Sequence, residues 1–140
     1  MSNALYTAKS TAEGGRQGTV KSSDGTLDLT LSMPKGLGGS EKAGTTNPEQ
    51  LFSAGYAACF DSAIQMVAGQ AKKKIKSTVT AEVSIGAEES GFGLSVKLHA
   101  AIDGVSQDEA VELVKAAHEV CPYSRATRGN IDVEVSAKAL

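Results

Sequence analysis

The segment from residue 48 to about residue 72 constrains the fold more than any other part of this 140-residue chain. Asn47 is a good N-cap and Pro48 suits the first helical position, so a long helix is predicted to begin here. After its first turn, the only charged residue before the terminal lysines is Asp61. Apolar side chains fall on nearly every face of this helix: Leu51, Phe52, Tyr56, Phe60, Ile64, Met66 and Val67.

A helix that is apolar all round must be buried all round. A chain of 140 residues has trouble surrounding a helix of this length by itself. We therefore expect a second subunit to cover part of it. The lysines at positions 72–74 suit its C-terminus, where cations meet the negative end of the helix dipole.

The segments before the helix favour short strands. The first predicted strand is residues 16–22. The second is residues 27–31, where apolar and polar residues alternate at period two. Ser-Asp-Gly at 23–25 predicts a tight turn between them. Residues 33–46 are rich in glycine and are predicted to be a loop.

The segments after the helix predict a hairpin, a second helix and a last strand. Residues 79–85 and 92–102 alternate and are joined by a loop of hairpin length, so they should pair antiparallel. The amphipathic second helix begins at Ser106, the first residue of a capping box, and ends at Cys121. Residues 131–139 form the last strand. The order β-β-β-α-β-β-α-β predicts an α+β fold of mainly antiparallel sheet.

Composition narrows the class of protein. A length of 140 residues favours a single domain over residues 1–140. The net charge of −2 argues against a nucleic-acid or anionic membrane surface, since phosphate binding needs a basic excess. No run approaches the ~20 apolar residues of a membrane span, and the first residues lack the pattern of a signal peptide. A cytoplasmic protein with reduced thiols is the expectation.

The first of two cysteines, Cys59, lies inside the apolar helix. Such a residue is either a small core hydrophobe or a reactive thiol, and a reactive thiol in a low-dielectric site needs a nearby cation. Arg16, flanked by glycines, is the candidate cation, and Glu49 is the carboxylate that can orient it by a bidentate pair. Each also has an ordinary explanation, as a solvated loop arginine and as a carboxylate near a helix N-terminus.

Helix geometry limits how these residues can cooperate. Glu49 and Cys59 are ten residues apart, or roughly 15 Å along a straight helix. One arginine cannot easily touch both. Either the helix is broken near Gly55, or Arg16 and Glu49 come from the partner subunit.

The second cysteine, Cys121, opens Cys-Pro-Tyr-Ser. That tetrapeptide resembles the glutaredoxin turn, but there the cysteine opens a helix near the start of the fold, whereas here it is predicted to close one. The two cysteines, with His99 in a predicted strand and His118 in a predicted helix, lie in the wrong elements to come together as a zinc site. No metal and no bound cofactor are expected.

Each cysteine lies in a long motif. The first is Asn-Pro-Glu-Gln-Leu-Phe at 47–52, continuing to Gly-Tyr-Ala-Ala-Cys-Phe at 55–60. The second is Val-Cys-Pro-Tyr-Ser at 120–124, followed by Ala-Thr-Arg-Gly-Asn-Ile-Asp-Val at 126–133. Together the two motifs resemble the organic hydroperoxide resistance branch of the OsmC-like superfamily. Arg125 departs from the family pattern, in which an uncharged residue is expected.

The resemblance implies an OsmC-like fold, with a long buried central helix and a second amphipathic helix, in an intertwined homodimer. It implies a thiol peroxidase for organic, fatty-acid-type hydroperoxides. Cys59 is then the peroxidatic residue and Cys121 the resolving one, joined as a redox-active disulfide. Arg16 stabilises the thiolate and Glu49 orients Arg16. The implied reductant is dihydrolipoamide or a lipoylated protein.

The substrate pocket is a further expectation. The aromatic residues near Cys59 would line it: Phe52, Tyr56 and Phe60. Two alternatives to the peroxidase stay open. One is a non-enzymatic redox sensor switched by the same disulfide, and the other is a small-lipid-binding dimer whose thiols are incidental.

Overall fold

The computed structural model describes residues 3–140. Met1 and Ser2, which begin the segment considered for a signal peptide, lie outside the described residues. The chain divides into two compact units, the first ending at Leu51 and the second running from Phe52 to Leu140.

The first unit contains an antiparallel sheet of strands β1, β2 and β3, in that order. The strands are Ser10–Glu13, Thr19–Ser22 and Asp28–Thr30. The predicted strand at 16–22 is wrong at its start, because Gly15–Gln17 forms a 3-10 turn. Gly14 and Gly15 have positive φ angles of 79° and 59°, which take the backbone out of the extended conformation before β2 begins.

The predicted turn between β2 and β3 is confirmed. The Asp24 Oδ1 atom accepts hydrogen bonds from the Ser22 hydroxyl at 2.6 Å and the Thr26 amide at 3.0 Å. Gly25 has a φ of 79°, which a residue without a side chain adopts at low cost. The following segment, predicted as a loop, contains a 3-10 turn at Lys35–Leu37.

The long helix, α1, spans Pro48–Gln70 and is unbroken at Gly55. The Asn47 Oδ1 atom accepts from the Gln50 amide at 2.8 Å, which confirms the predicted N-cap. The helix ends where Lys72 turns to a left-handed φ of 57°. The Lys72 amide bonds to the Gly69 carbonyl and the Lys73 amide to the Ala68 carbonyl, the two bonds of a Schellman motif.

One chain buries only part of α1. Its buried positions form one face: Tyr56, Phe60, Ala63, Ile64, Val67 and Ala68. Ala54, Ala58 and Met66 are exposed, Met66 by 48% of its surface. The expectation that α1 is buried on every face is therefore not met within a single chain.

The second unit contains a sheet in the order β4-β5-β6. Its elements are β4 Lys76–Glu88, β5 Gly91–Asp103, α2 Gln107–Val120, α3 Pro122–Thr127 and β6 Val133–Ala139. β4 and β5 pair antiparallel, as predicted, whereas β6 runs parallel to β5. The hairpin loop is shorter than the predicted 86–91, because the ladder continues to the pair Glu88 and Gly91.

The core lies between one face of this sheet and the helices. Cross-strand rows such as Ala81, Leu98 and Val135 point into it. Ser106 and Glu109 make both bonds of the predicted capping box at the start of α2. The sequence predicts an apolar stripe on α2, made of Ala110, Val111, Val114, Ala117 and Val120. That stripe is wrong at two positions, because Leu113 is buried and Val120 is 40% exposed.

Within residues 3–140, no helix combines the length and the hydropathy that a bilayer crossing requires.

Candidate active site

The loop that carries Arg16 depends on its glycines. Arg16 lies in the 3-10 turn between Gly14 and Gly18. A Cβ atom on Gly18 would lie 1.7 Å from the carbonyl oxygen of Glu13, far inside van der Waals contact. The backbone therefore closes on itself at a point where only glycine fits, and this fixes the place of the arginine.

Arg16 and Glu49 form a bidentate ion pair. The Arg16 Nη1 donates to Glu49 Oε2 at 2.8 Å, and Nη2 donates to Oε1 at 2.6 Å. The side chains are 29% and 13% exposed. The hydrogen bonds raise the pKa of Arg16 and lower the pKa of Glu49 below its usual value. The pair stays ionised at neutral pH, and its contribution to stability is lost only as the pH falls through the lowered pKa of Glu49.

Replacing Gly18 by alanine is expected to disrupt this loop. The new methyl group would collide with backbone, which cannot rotate away, so we expect a loss of about 2–4 kcal/mol in unfolding free energy. Urea denaturation measures the loss. Gly36→Ala is the matched control, because a Cβ atom there meets nothing within 4 Å. Equal effects of the two substitutions would contradict the role given to Gly18.

The two cysteine sulfurs lie in contact. Cys59 projects from α1 and Cys121 from the junction of α2 and α3, and their Sγ atoms are 3.6 Å apart. Both thiols are free, Cys121 fully buried and Cys59 half-buried. The separation is about 1.5 Å longer than a disulfide bond, so a small movement suffices to join them.

Cys121 is both the C-cap of α2 and the N-cap of α3. The prediction that this cysteine only closes a helix is therefore incomplete. Pro122 ends α2 and also starts α3, because proline suits the first position of a helix. The first effect of this proline was predicted from the sequence, and the second was missed.

The thiol of Cys59 is not activated by its surroundings in the second unit. Burial raises its pKa above the usual value, and the backbone N–H of Tyr123 opposes that shift. Tyr123 is in the first turn of α3, where amides have no partner inside the helix. A thiolate at neutral pH therefore needs a further positive charge.

Aromatic rings surround the approach to α1. Tyr123 stacks on Phe52 with ring centroids 6.1 Å apart and packs against Tyr56 at 5.6 Å. Gly55 makes room for this ring, since a Cβ atom there would lie 3.0 Å from the Tyr123 hydroxyl. Tyr56 and Phe60 are fully buried, whereas Phe52 is half-buried and Tyr123 is 38% exposed. Tyr123 was missed as a pocket residue, although it lies inside the Cys-Pro-Tyr-Ser segment.

Metal-ligating side chains are dispersed. Across the part of the chain that the structure describes, His, Cys, Asp and Glu do not gather into a group of three or more that could hold a metal ion.

Two reduced cysteines in contact, one on a central helix and one at a helix junction of an α+β fold, define a dithiol protein. The OsmC-like protein family model matches residues 39–136, and the chain belongs to this family, in its organic hydroperoxide resistance branch. The predicted family and the predicted α+β fold are confirmed.

Relatives cover nearly the whole chain. An organic hydroperoxide resistance protein of Xanthomonas axonopodis pv. citri is 52% identical over 134 residues, 94% of each chain. The crystal structure of an organic hydroperoxide resistance protein from Legionella pneumophila matches with a TM-score of 0.91 at 55% identity, over 97% of this chain and 99% of that one. A Vibrio cholerae relative, 51% identical with a TM-score of 0.90 over 97% and 94% of the chains, is described with captopril bound in one of its active sites.

Proposed function

We propose that this protein is a cysteine-dependent peroxidase that reduces organic hydroperoxides to alcohols. Membership in the organic hydroperoxide resistance branch supports the substrate class. The observation that carries the chemistry is the contact of the Cys59 and Cys121 sulfurs at 3.6 Å. A pair at this distance can form and release a disulfide without rearranging the fold.

The reaction has three steps. The Cys59 thiolate attacks the terminal oxygen of the hydroperoxide, so that an S–O bond forms as the O–O bond breaks. The alkoxide takes up a proton and leaves as an alcohol, and Cys59 is left as a sulfenic acid. The Cys121 sulfur then attacks the Cys59 sulfur, releasing water and forming the disulfide. An external dithiol reduces that disulfide and is itself oxidised. The dithiol is proposed to be dihydrolipoamide or a lipoylated protein.

Arg16 is proposed to stabilise the Cys59 thiolate, with Glu49 holding the guanidinium in place. The half-buried thiol needs a cation, and the bidentate pair supplies one in a fixed orientation. Because α1 is unbroken at Gly55, the first of the two predicted ways to bring these residues together is not used. We therefore assign Arg16 and Glu49 of each site to the partner subunit.

A homodimer follows from that assignment. The exposed side of α1, with Ala54, Ala58 and Met66, is the apolar surface that a second subunit would cover. The Vibrio cholerae relative has more than one active site, as a symmetric assembly would. The proposed location is the cytoplasm, where the thiols of Cys59 and Cys121 would be kept reduced between turnovers.

Fatty-acid-type hydroperoxides are the proposed substrates. Phe52 and Tyr123 have exposed ring surface to contact an alkyl chain. Tyr56 and Phe60 lie behind them in the core, so their part in the pocket is to support these rings.

Peroxide consumption with different reductants tests this function. The purified protein is mixed with cumene hydroperoxide and dihydrolipoamide, thioredoxin or glutathione, and the peroxide is followed over time. We expect many turnovers with dihydrolipoamide and far fewer with the other two. Oxidation of one equivalent without turnover would favour the redox sensor. Thiols with ordinary pKa values near 8.5 that consume no peroxide would favour the lipid-binding dimer.

Cys121→Ser is expected to separate the two half-reactions. The variant keeps the Cys59 thiol, so it should consume about one equivalent of peroxide per chain and then stall or over-oxidise. Quenched-flow peroxide measurements with mass spectrometry of Cys59 check this. Multi-turnover activity at the wild-type rate with dihydrolipoamide would remove Cys121 from the resolving role.

A further inference from the structure

A chain of buried hydroxyl groups adjoins the two cysteines. The Ser124 Oγ atom lies 2.8 Å from the Tyr56 hydroxyl and 2.8 Å from Nδ1 of His118. The Tyr56 hydroxyl also lies 3.2 Å from Thr127 Oγ1, which donates to the Ser124 carbonyl at 3.2 Å. Tyr56, Ser124 and Thr127, here called the hydroxyl chain, are all buried.

Counting protons in these bonds fixes the state of His118. Four hydrogen bonds need four hydrogens, and three hydroxyl groups supply only three. The fourth must come from Nδ1 of His118. Ser124 then donates to Tyr56, Tyr56 to Thr127, and Thr127 to the Ser124 carbonyl, so every group is satisfied.

Desolvation lowers the pKa of His118 and Arg128 lowers it further, whereas Glu119 opposes the shift, so the net effect favours the neutral ring. A neutral ring that donates from Nδ1 keeps Nε2 unprotonated.

The hydroxyl chain ties together the elements that carry the two sulfurs. Tyr56 is on α1, one turn before Cys59, and His118 is on α2, three residues before Cys121. Ser124 and Thr127 are on α3, after Cys121. Cys121 therefore lies at the junction of α2 and α3, and the His118–Ser124 hydrogen bond joins these two helices directly.

We propose that His118 is a positioning residue: by donating its Nδ1 proton to Ser124, it holds the junction of α2 and α3 so that Cys121 faces Cys59. The effect of His118 on catalysis rests on the proposed function, because the contact between the two sulfurs matters for turnover only if Cys121 is the resolving residue. The geometric claim concerns the two sulfurs alone and can be tested without peroxide.

The test is the disulfide equilibrium of four proteins in glutathione redox buffers, which gives the effective concentration of one thiol at the other. His118→Gln removes the donor at the Nδ1 position, whereas His118→Asn places an amide N–H close to it. We expect a fall of about tenfold in effective concentration for His118→Gln and recovery to near the wild-type value for His118→Asn. His99→Gln is the matched control, because His99 Nδ1 makes a similar 2.7 Å contact with Ser136 Oγ on the exposed face of the sheet.

Nitrogen-15 NMR of the reduced wild-type protein adds a direct measurement. The shifts of His118 should show a protonated Nδ1 and an unprotonated Nε2. A protonated Nε2 with a bare Nδ1, or equal effective concentrations in the wild type and His118→Gln, would overturn the proposal. Failure of the peroxidase assay would instead reject the proposed function, and the thiol equilibrium would still decide the role of His118.

Discussion

Cys59→Ser is expected to lower peroxide consumption by roughly a thousandfold or more. Serine has nearly the same shape, but its hydroxyl is not ionised at neutral pH and does not attack the O–O bond. Cys59 is also the cysteine with exposed surface, since Cys121 is fully buried. A substrate that reaches this site therefore meets Cys59 first. The measurement is the initial rate of cumene hydroperoxide loss with dihydrolipoamide in excess.

The matched control replaces the other cysteine, Cys121, by serine. Cys121→Ser should still consume its first equivalent of peroxide, so the two serine variants separate loss of the nucleophile from loss of the resolving thiol. Circular dichroism and the unfolding midpoint show whether either variant has lost its fold. A Cys59→Ser protein that kept a tenth of the wild-type rate would show that the peroxidatic group lies elsewhere.

The position of α1 could be predicted because its signals are local. An N-cap asparagine and a proline at the first helical position act within one turn, and the structure shows the expected Asn47 bond. The same holds for the capping box at Ser106. Strand pairing across β4 and β5 followed from period-two alternation and a short connection.

The contact of the cysteines could not be derived from local chemistry. Cys59 and Cys121 are 62 positions apart in the sequence, and their approach depends on how α2 and α3 pack against α1. The resemblance to a known family implied that Cys59 and Cys121 act together, and the structure gives the distance between their sulfur atoms. The His118–Ser124 bond was missed for a different reason: its two ends are only six residues apart, but the turn from α2 into α3 was not recognised.

Two local errors have physical causes. Pro122 was interpreted only as the residue that ends α2. Proline is equally suited to the first position of a helix, and α3 begins at Pro122. The strand predicted from Arg16 overlooked the paired glycines before it, whose positive φ angles turn the chain. Glycine identity signals conformational freedom, but only the structure shows which conformation is adopted.

Arg16→Ala is expected to lower the rate of the first chemical step by roughly a hundredfold. Without the cation, burial leaves the pKa of Cys59 raised, so less thiolate is present at neutral pH. Alkylation of Cys59 by iodoacetamide, followed against pH, should shift to higher pH in this variant. Arg16→Lys keeps the charge but loses the fork that binds both oxygens of Glu49, so it should recover only part of the rate. An unchanged alkylation profile in Arg16→Ala would exclude the arginine from the site.

Mixing two inactive variants decides which subunit supplies the arginine. Arg16→Ala and Cys59→Ser chains are unfolded together at equal concentration and refolded, so that half of the dimers contain one chain of each kind. If Arg16 acts on the Cys59 of the partner subunit, each mixed dimer has one complete site, and the mixture should regain about a quarter of the wild-type activity. If Arg16 acts within its own chain, no mixed dimer has a complete site, and the activity stays at the level of the separate variants. The second outcome would overturn the assignment of Arg16 to the partner, and the first is not expected from any arrangement within one chain.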